Sequence, residues 1–88
     1  MSFKKSPSLN LSYKKQGYIY FACLNYAEQS AEVQHKIKTL CMSVGGKWYN
    51  EPLFKVLTTE EPINRIAREY YMSSRQLRRL KNKFYLSW

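Results

Sequence analysis

Eighty-eight residues make one small domain at most, since ordinary domains run to about 100–200 residues. Hydrophobic residues are 44% and aromatics 16%, which excludes a wholly disordered or low-complexity chain. There is no Asp, one His and six Glu, with fifteen Lys+Arg giving a net charge of +9. That set is too poor for acid–base catalysis or a metal cluster, so the chain reads as a non-enzyme without a cofactor. The basic balance calls for an anionic partner: nucleic acid, an acidic protein or an anionic membrane surface. All five arginines (Arg65, Arg68, Arg75, Arg78 and Arg79) lie in the last third. Arginine presents a rigid fork of donors suited to phosphates and guanine edges, so their segregation weighs more than net charge.

Residues 1–15 are Ser- and Lys-rich with scattered Phe3, Leu9 and Leu11, and neither helical nor strand periodicity can be counted there. They are expected to form a flexible basic arm, trailing along a backbone or solvated, ahead of a single helical domain over 16–88. The N-terminal lysines lack the apolar stretch of a signal peptide. The longest apolar run, Tyr18 to Leu24, falls far short of the roughly 20 residues that span a bilayer. A cytoplasmic chain with no membrane partner is expected. Cys23 and Cys41 have no metal-type spacing and read as buried, reduced thiols.

From Gly17, the run Tyr18 to Ala27 is apolar almost all round, the pattern of a central, buried helix. Its aromatics also suit a strand; the helical reading is preferred because no second strand is available to pair with it. Ser30 is placed to cap the next helix, with Glu32 in its first turn. Val33, Ile37, Leu40, Cys41 and Val44 form its apolar stripe, and Gly45-Gly46 ends it. His35 falls on the wet face and is assigned no role. Asn50 is read as the cap of a short third helix containing Pro52, Leu53, Phe54, Val56 and Leu57. Of the tyrosines, Tyr18, Tyr20, Tyr26, Tyr70 and Tyr71 are read as core or core-edge residues. Tyr85 and Trp88 are the two aromatics placed like exposed stacking platforms, although Trp88 is also placed to fold back on the core or to meet another subunit.

A helix from about Pro62 carries Ile63, Ile66, Ala67 and Tyr70 on one face. After Tyr71-Met72, Ser73-Ser74-Arg75-Gln76 is a capping box opening another helix. Its apolar stripe is Leu77, Leu80 and Phe84. At about 100° per residue from Leu77, Arg78, Asn82, Arg75, Arg79, Lys83 and Gln76 fan across the opposite side from about 100° to about 260°. No carboxylate lies among them.

Ile63 to Asn82 resembles a helix-turn-helix of DNA-binding regulators, with Ile66, Ala67, Tyr70, Met72, Leu77 and Leu80 at its apolar positions. Leu77-Arg78-Arg79-Leu80-Lys81-Asn82-Lys83-Phe84 is similar to recognition helices of the DNA-binding fourth region of bacterial sigma factors, and to small phage-borne late-gene activators. One departure is Tyr71, where the turn usually has Gly; a Tyr there must adopt a left-handed or altered conformation. The resemblance implies an all-α bundle of four to five helices ending in a helix-turn-helix at about 62–85. It implies a phage or mobile-element regulator of transcription acting on double-stranded DNA. Base contacts are expected from Ser73, Ser74, Arg75, Gln76, Arg78 and Arg79, at the N-terminal part of the helix. Backbone contacts are expected from Arg65, Arg68, Lys81, Asn82 and Lys83. The competing expectation is a protein-interaction module whose basic face meets RNA polymerase or another acidic protein. A homodimer is compatible with either, although no heptad seam marks its interface.

Overall fold

The structure, a computed structural model, describes residues 9–88. Four α-helices and one 3-10 turn account for its elements, and no strand occurs among the described residues. The helical reading of the aromatic run is therefore the correct one.

Ser12 opens the first helix, its Oγ accepting the Lys15 backbone N–H at 3.1 Å. Helix α1 (Tyr13–Leu24) thus starts inside the expected flexible arm. Residues 1–8 of that arm lie outside the described residues, but 9–15 belong to the fold. Leu9 is buried, Leu11 packs against the core, and the buried Gln16 donates through Nε2 to the Leu11 carbonyl at 3.0 Å. A hydrophobic anchor ahead of a cap fixes the chain's entry into a helix. The exposed Tyr13, Lys14 and Lys15 hide this from a periodicity reading.

Nor is α1 buried all round. Gln16, Ile19, Ala22 and Cys23 form its buried stripe, whereas Tyr18 is 60% and Phe21 41% exposed. One side of α1 faces α2, and the aromatics beyond that contact remain at the surface. A 3-10 turn, Tyr26–Glu28, follows. Gln34 Nε2 donates to the Tyr26 carbonyl at 2.8 Å, and the Tyr26 ring meets Phe54 edge-on at 5.0 Å.

Helix α2 (Ala31–Thr58) begins at Ser30, whose Oγ accepts the Val33 N–H at 3.3 Å. It is broken at Gly46, which sits at φ 67°, ψ −169°, a region open essentially to glycine. Two arms result, 31–45 and 47–58. Gly45 serves a separate need, because a Cβ there would lie 2.8 Å from the Asn50 backbone nitrogen. The expected stop at Gly45-Gly46 is present, but the second arm resumes at once, and Asn50 lies inside it. Instead of capping, its Nδ2 donates to the Gly46 and Lys47 carbonyls at 2.8 and 3.2 Å. Pro52, also inside the arm, has no N–H to offer the Trp48 carbonyl.

The arms hold one side of the main core. Ile37 and Cys41 from the first, and Leu53 and Leu57 from the second, surround Ile19, Cys23, Phe84 and Tyr85. A smaller cluster of Ile66, Ala67 and Leu77 joins α3 (Ile63–Glu69) to α4 (Ser74–Ser87), with Val56, Ile63, Tyr70 and Met72 around it. Tyr85 is therefore a core residue rather than an exposed platform. Trp88 folds back, 6.0 Å from the Phe84 ring and 5.9 Å from Tyr18, with the Lys36 ammonium 4.3 Å over its own ring.

Candidate nucleic-acid interface

Four residues, Tyr70 to Ser73, separate α3 from α4. The end of α3 is a Schellman turn: the Met72 N–H reaches the Ala67 carbonyl at 3.0 Å and the Tyr71 N–H the Arg68 carbonyl at 3.3 Å. This closure puts Tyr71 at φ 54°, the left-handed conformation expected from its place in the turn. For a residue with a Cβ that costs about 1–2 kcal/mol. Nothing packs against Tyr71 in return, since the side chain is 98% exposed. The expectation that it lies at the core edge fails on that value, whereas Tyr70 is half-buried against the small cluster.

Ser73 accepts the Gln76 backbone N–H on its Oγ at 3.0 Å, fixing where α4 begins. Leu77, Phe84 and Tyr85 point inward, and this anchors the opposite side of the helix toward solvent. Ser73, Arg75, Arg78, Arg79 and Lys83 are exposed, with Ser74, Gln76 and Asn82 half-buried along the margins. No Asp or Glu occurs from Ser73 to Trp88. Arg65 and Arg68 are exposed on α3, Arg65 with Nε 4.0 Å from Glu61 Oε1.

Lys81 stands apart from this group. It lines an open hollow with Tyr20, Val56, Glu60, Glu61 and Ile63, its ammonium 5.9 Å from the Tyr85 ring. Burial, and then the Arg78 guanidinium, push its pKa down. One turn after Leu77, its stem follows the apolar side of α4 while Lys83 faces outward.

Glu51, Glu61 and Glu69 are engaged by Lys55 and Tyr70. Lys55 Nζ on the second arm of α2 lies 3.0 Å from Glu69 and 3.5 Å from Glu61. The hydrogen bond to Glu69 is the main cause of its raised pKa. Tyr70 Oη donates to Glu51 Oε1 at 3.4 Å, and burial followed by the Glu51 charge raises the phenol pKa. Surface pairs of this kind contribute little stability, but they take these acids up on the α2–α3 side.

Away from this surface, Cys23 and Cys41 are buried free thiols, each pushed up to about 12, chiefly by burial. His35 is exposed, its Nε2 3.4 Å from Thr39 Oγ1. No helix among the described residues is long and apolar enough to cross a membrane. No family model, curated protein or solved structure matches this chain.

Proposed function

We propose that the protein is a sequence-specific regulator of transcription that binds duplex DNA, with α4 in the major groove. One observation carries this reading: α4 turns outward a face of Arg75, Arg78, Arg79 and Lys83 that contains no carboxylate, starting from a capped N-terminus four residues beyond α3. Solvated helix faces ordinarily mix both signs of charge. The major groove admits one helix, whose N-terminal residues meet base edges. Arg75, Arg78 and Arg79 suit guanine, Gln76 suits adenine, and Ser73 and Ser74 suit a phosphate or a base. Arg65, Arg68, Asn82 and Lys83 suit the phosphate backbone; Lys81, sheltered beside Tyr85, reaches it only by extending from its hollow. The resemblance of residues 63–82 to sigma-factor and phage activator motifs points to a phage or mobile-element setting.

Titrating fluorescent duplex with the full chain tests the reading. Phosphate-driven binding weakens with a log–log salt slope near −0.9 per phosphate neutralised. Arg79→Ala and Lys83→Ala then separate readout from charge, since each removes one cation from the same face. Arg79→Ala is expected to cost about 1–3 kcal/mol on a selected site and to relax discrimination. Lys83→Ala is expected to weaken selected and scrambled duplexes alike and make the slope shallower by about one phosphate. Absence of duplex binding at low salt would instead favour an acidic protein partner for this face.

A further inference from the structure

Tyr71 combines a strained backbone position with a side chain that the fold does not use. Its backbone lies at φ 54°, where glycine would be accommodated without steric cost. Its side chain is 98% exposed, so no packing offsets that cost. The turn itself is built by other groups: the Met72 and Tyr71 backbone N–H groups close it at 3.0 and 3.3 Å, and Met72 packs into the small cluster. A large amphipathic side chain at such a point is a candidate contact residue, because strain without internal compensation is found where a surface is used. Its position narrows the contact. Tyr71 lies two residues before the cap of α4, with exposed Arg68 three residues behind and exposed Arg75 four residues ahead.

From this placement we infer that Tyr71 is a phosphate-contacting residue. Its phenol hydroxyl donates to a backbone phosphate oxygen at the edge of the groove that α4 enters. The inference rests on the duplex-binding reading above and extends it to a residue whose contribution is not electrostatic. A helix entering the groove by its N-terminus brings the turn ahead of it up to the sugar–phosphate wall, where tyrosine hydroxyls are regular donors. The ring provides reach, and the fixed turn holds its starting point. The choice of a tyrosine at this strained position then belongs to the interface rather than to the fold.

The experiment compares full-length wild type, Tyr71→Phe and Tyr71→Gly by duplex titration over a range of salt, with thermal melting of each protein alone. Tyr71→Phe keeps the ring and removes the donor; about tenfold weaker binding is expected. Tyr71→Gly is expected to weaken binding at least as much while raising the melting temperature, so a folding defect cannot explain the loss. The salt slope should stay at the wild-type value in both, because a phenol neutralises no phosphate. That separates Tyr71 from every Lys or Arg on the face. Wild-type affinity in Tyr71→Phe overturns the hydrogen bond, whether or not Tyr71→Gly is weakened. If wild-type protein binds duplex and both variants match it, the inference fails and the duplex-binding reading stands. A wild-type protein that binds no duplex at low salt overturns both.

Discussion

Two turns among the described residues pass through positive φ, and the residues that occupy them differ. At φ 67° the bend inside α2 has Gly46; at φ 54° the turn between α3 and α4 has Tyr71. Gly46 obeys the local rule. Its ψ of −169° lies in a region that strains any residue with a Cβ, and the kink there lets both arms of α2 contribute to one core. Tyr71 breaks the rule at a position where the left-handed turn admits a side chain at a cost. The difference teaches where fold and surface each dominate: both turns are closed by the chain itself, but the fold dictates the glycine in the first and leaves the tyrosine side chain of the second without a packing role.

The scale for judging the two turns is set by the core that the first one builds. Ile37 is completely buried in the main core, so Ile37→Ala is expected to cost about 2–5 kcal/mol. An unchanged denaturant midpoint would show that the arm does not pack as described. Gly46→Ala comes next, at about 1–3 kcal/mol of strain. Apart from its chain neighbours and the adjoining helix backbone, no atom lies within 4 Å of the added Cβ, so this substitution isolates backbone conformation from crowding. A neutral result by chemical denaturation would remove the contrast with Tyr71.

The thiols test the same core without changing either turn. In the fold Cys23 and Cys41 ionise near pH 12, against an ordinary value of 9.0. The unfolded chain therefore releases these protons first. The stability their burial contributes is complete below about pH 9 and is lost as pH rises toward 12, by up to about 1.4 kcal/mol per pH unit for each thiol. Urea midpoints measured from pH 8 upward should fall, and fall less steeply in a Cys23→Ala/Cys41→Ala double variant. Equal slopes would mean the thiols are open to solvent. The smallest effect is the most diagnostic: Tyr71→Gly should stabilise by about 0.5–1 kcal/mol, relief of the left-handed strain exceeding the entropy glycine restores to the unfolded chain. A loss of stability there would give Tyr71 a packing role that its exposure denies.

Much of this was legible in residue order because the signals were local. Ser30 and Ser73 cap the helices they precede, Gly46 turns the chain, and Tyr71 takes the left-handed conformation that its place in the turn demands. The basic face of α4 followed from counting 100° per residue. What escaped depended on neighbours distant in sequence. Tyr18 and Phe21 look like core residues until one sees that α2 covers a single side of α1. Tyr85 looks like a surface platform until the main core closes over it. Leu9 and Ser12 open α1, but the exposed Tyr13-Lys14-Lys15 that follows carries no apolar period to announce a helix. Lys81 was grouped with the cations around it, although its angle, close to that of Leu77, already inclined it toward the core.

Helix α4 belongs to both hydrophobic clusters at once, through Leu77 in the smaller and Phe84 and Tyr85 in the larger. It cannot swing or fray independently of either, and its outward side chains start from a backbone whose freedom was spent when the chain folded. A ligand settling on that face therefore loses little affinity to ordering the scaffold beneath it. The same coupling runs in reverse: a ligand at one hundred times its dissociation constant would stabilise the chain by about 2.7 kcal/mol. That gain would be shared by two cores that this helix and the second arm's Val56 both join, so occupancy of the surface would be felt as cohesion throughout the interior.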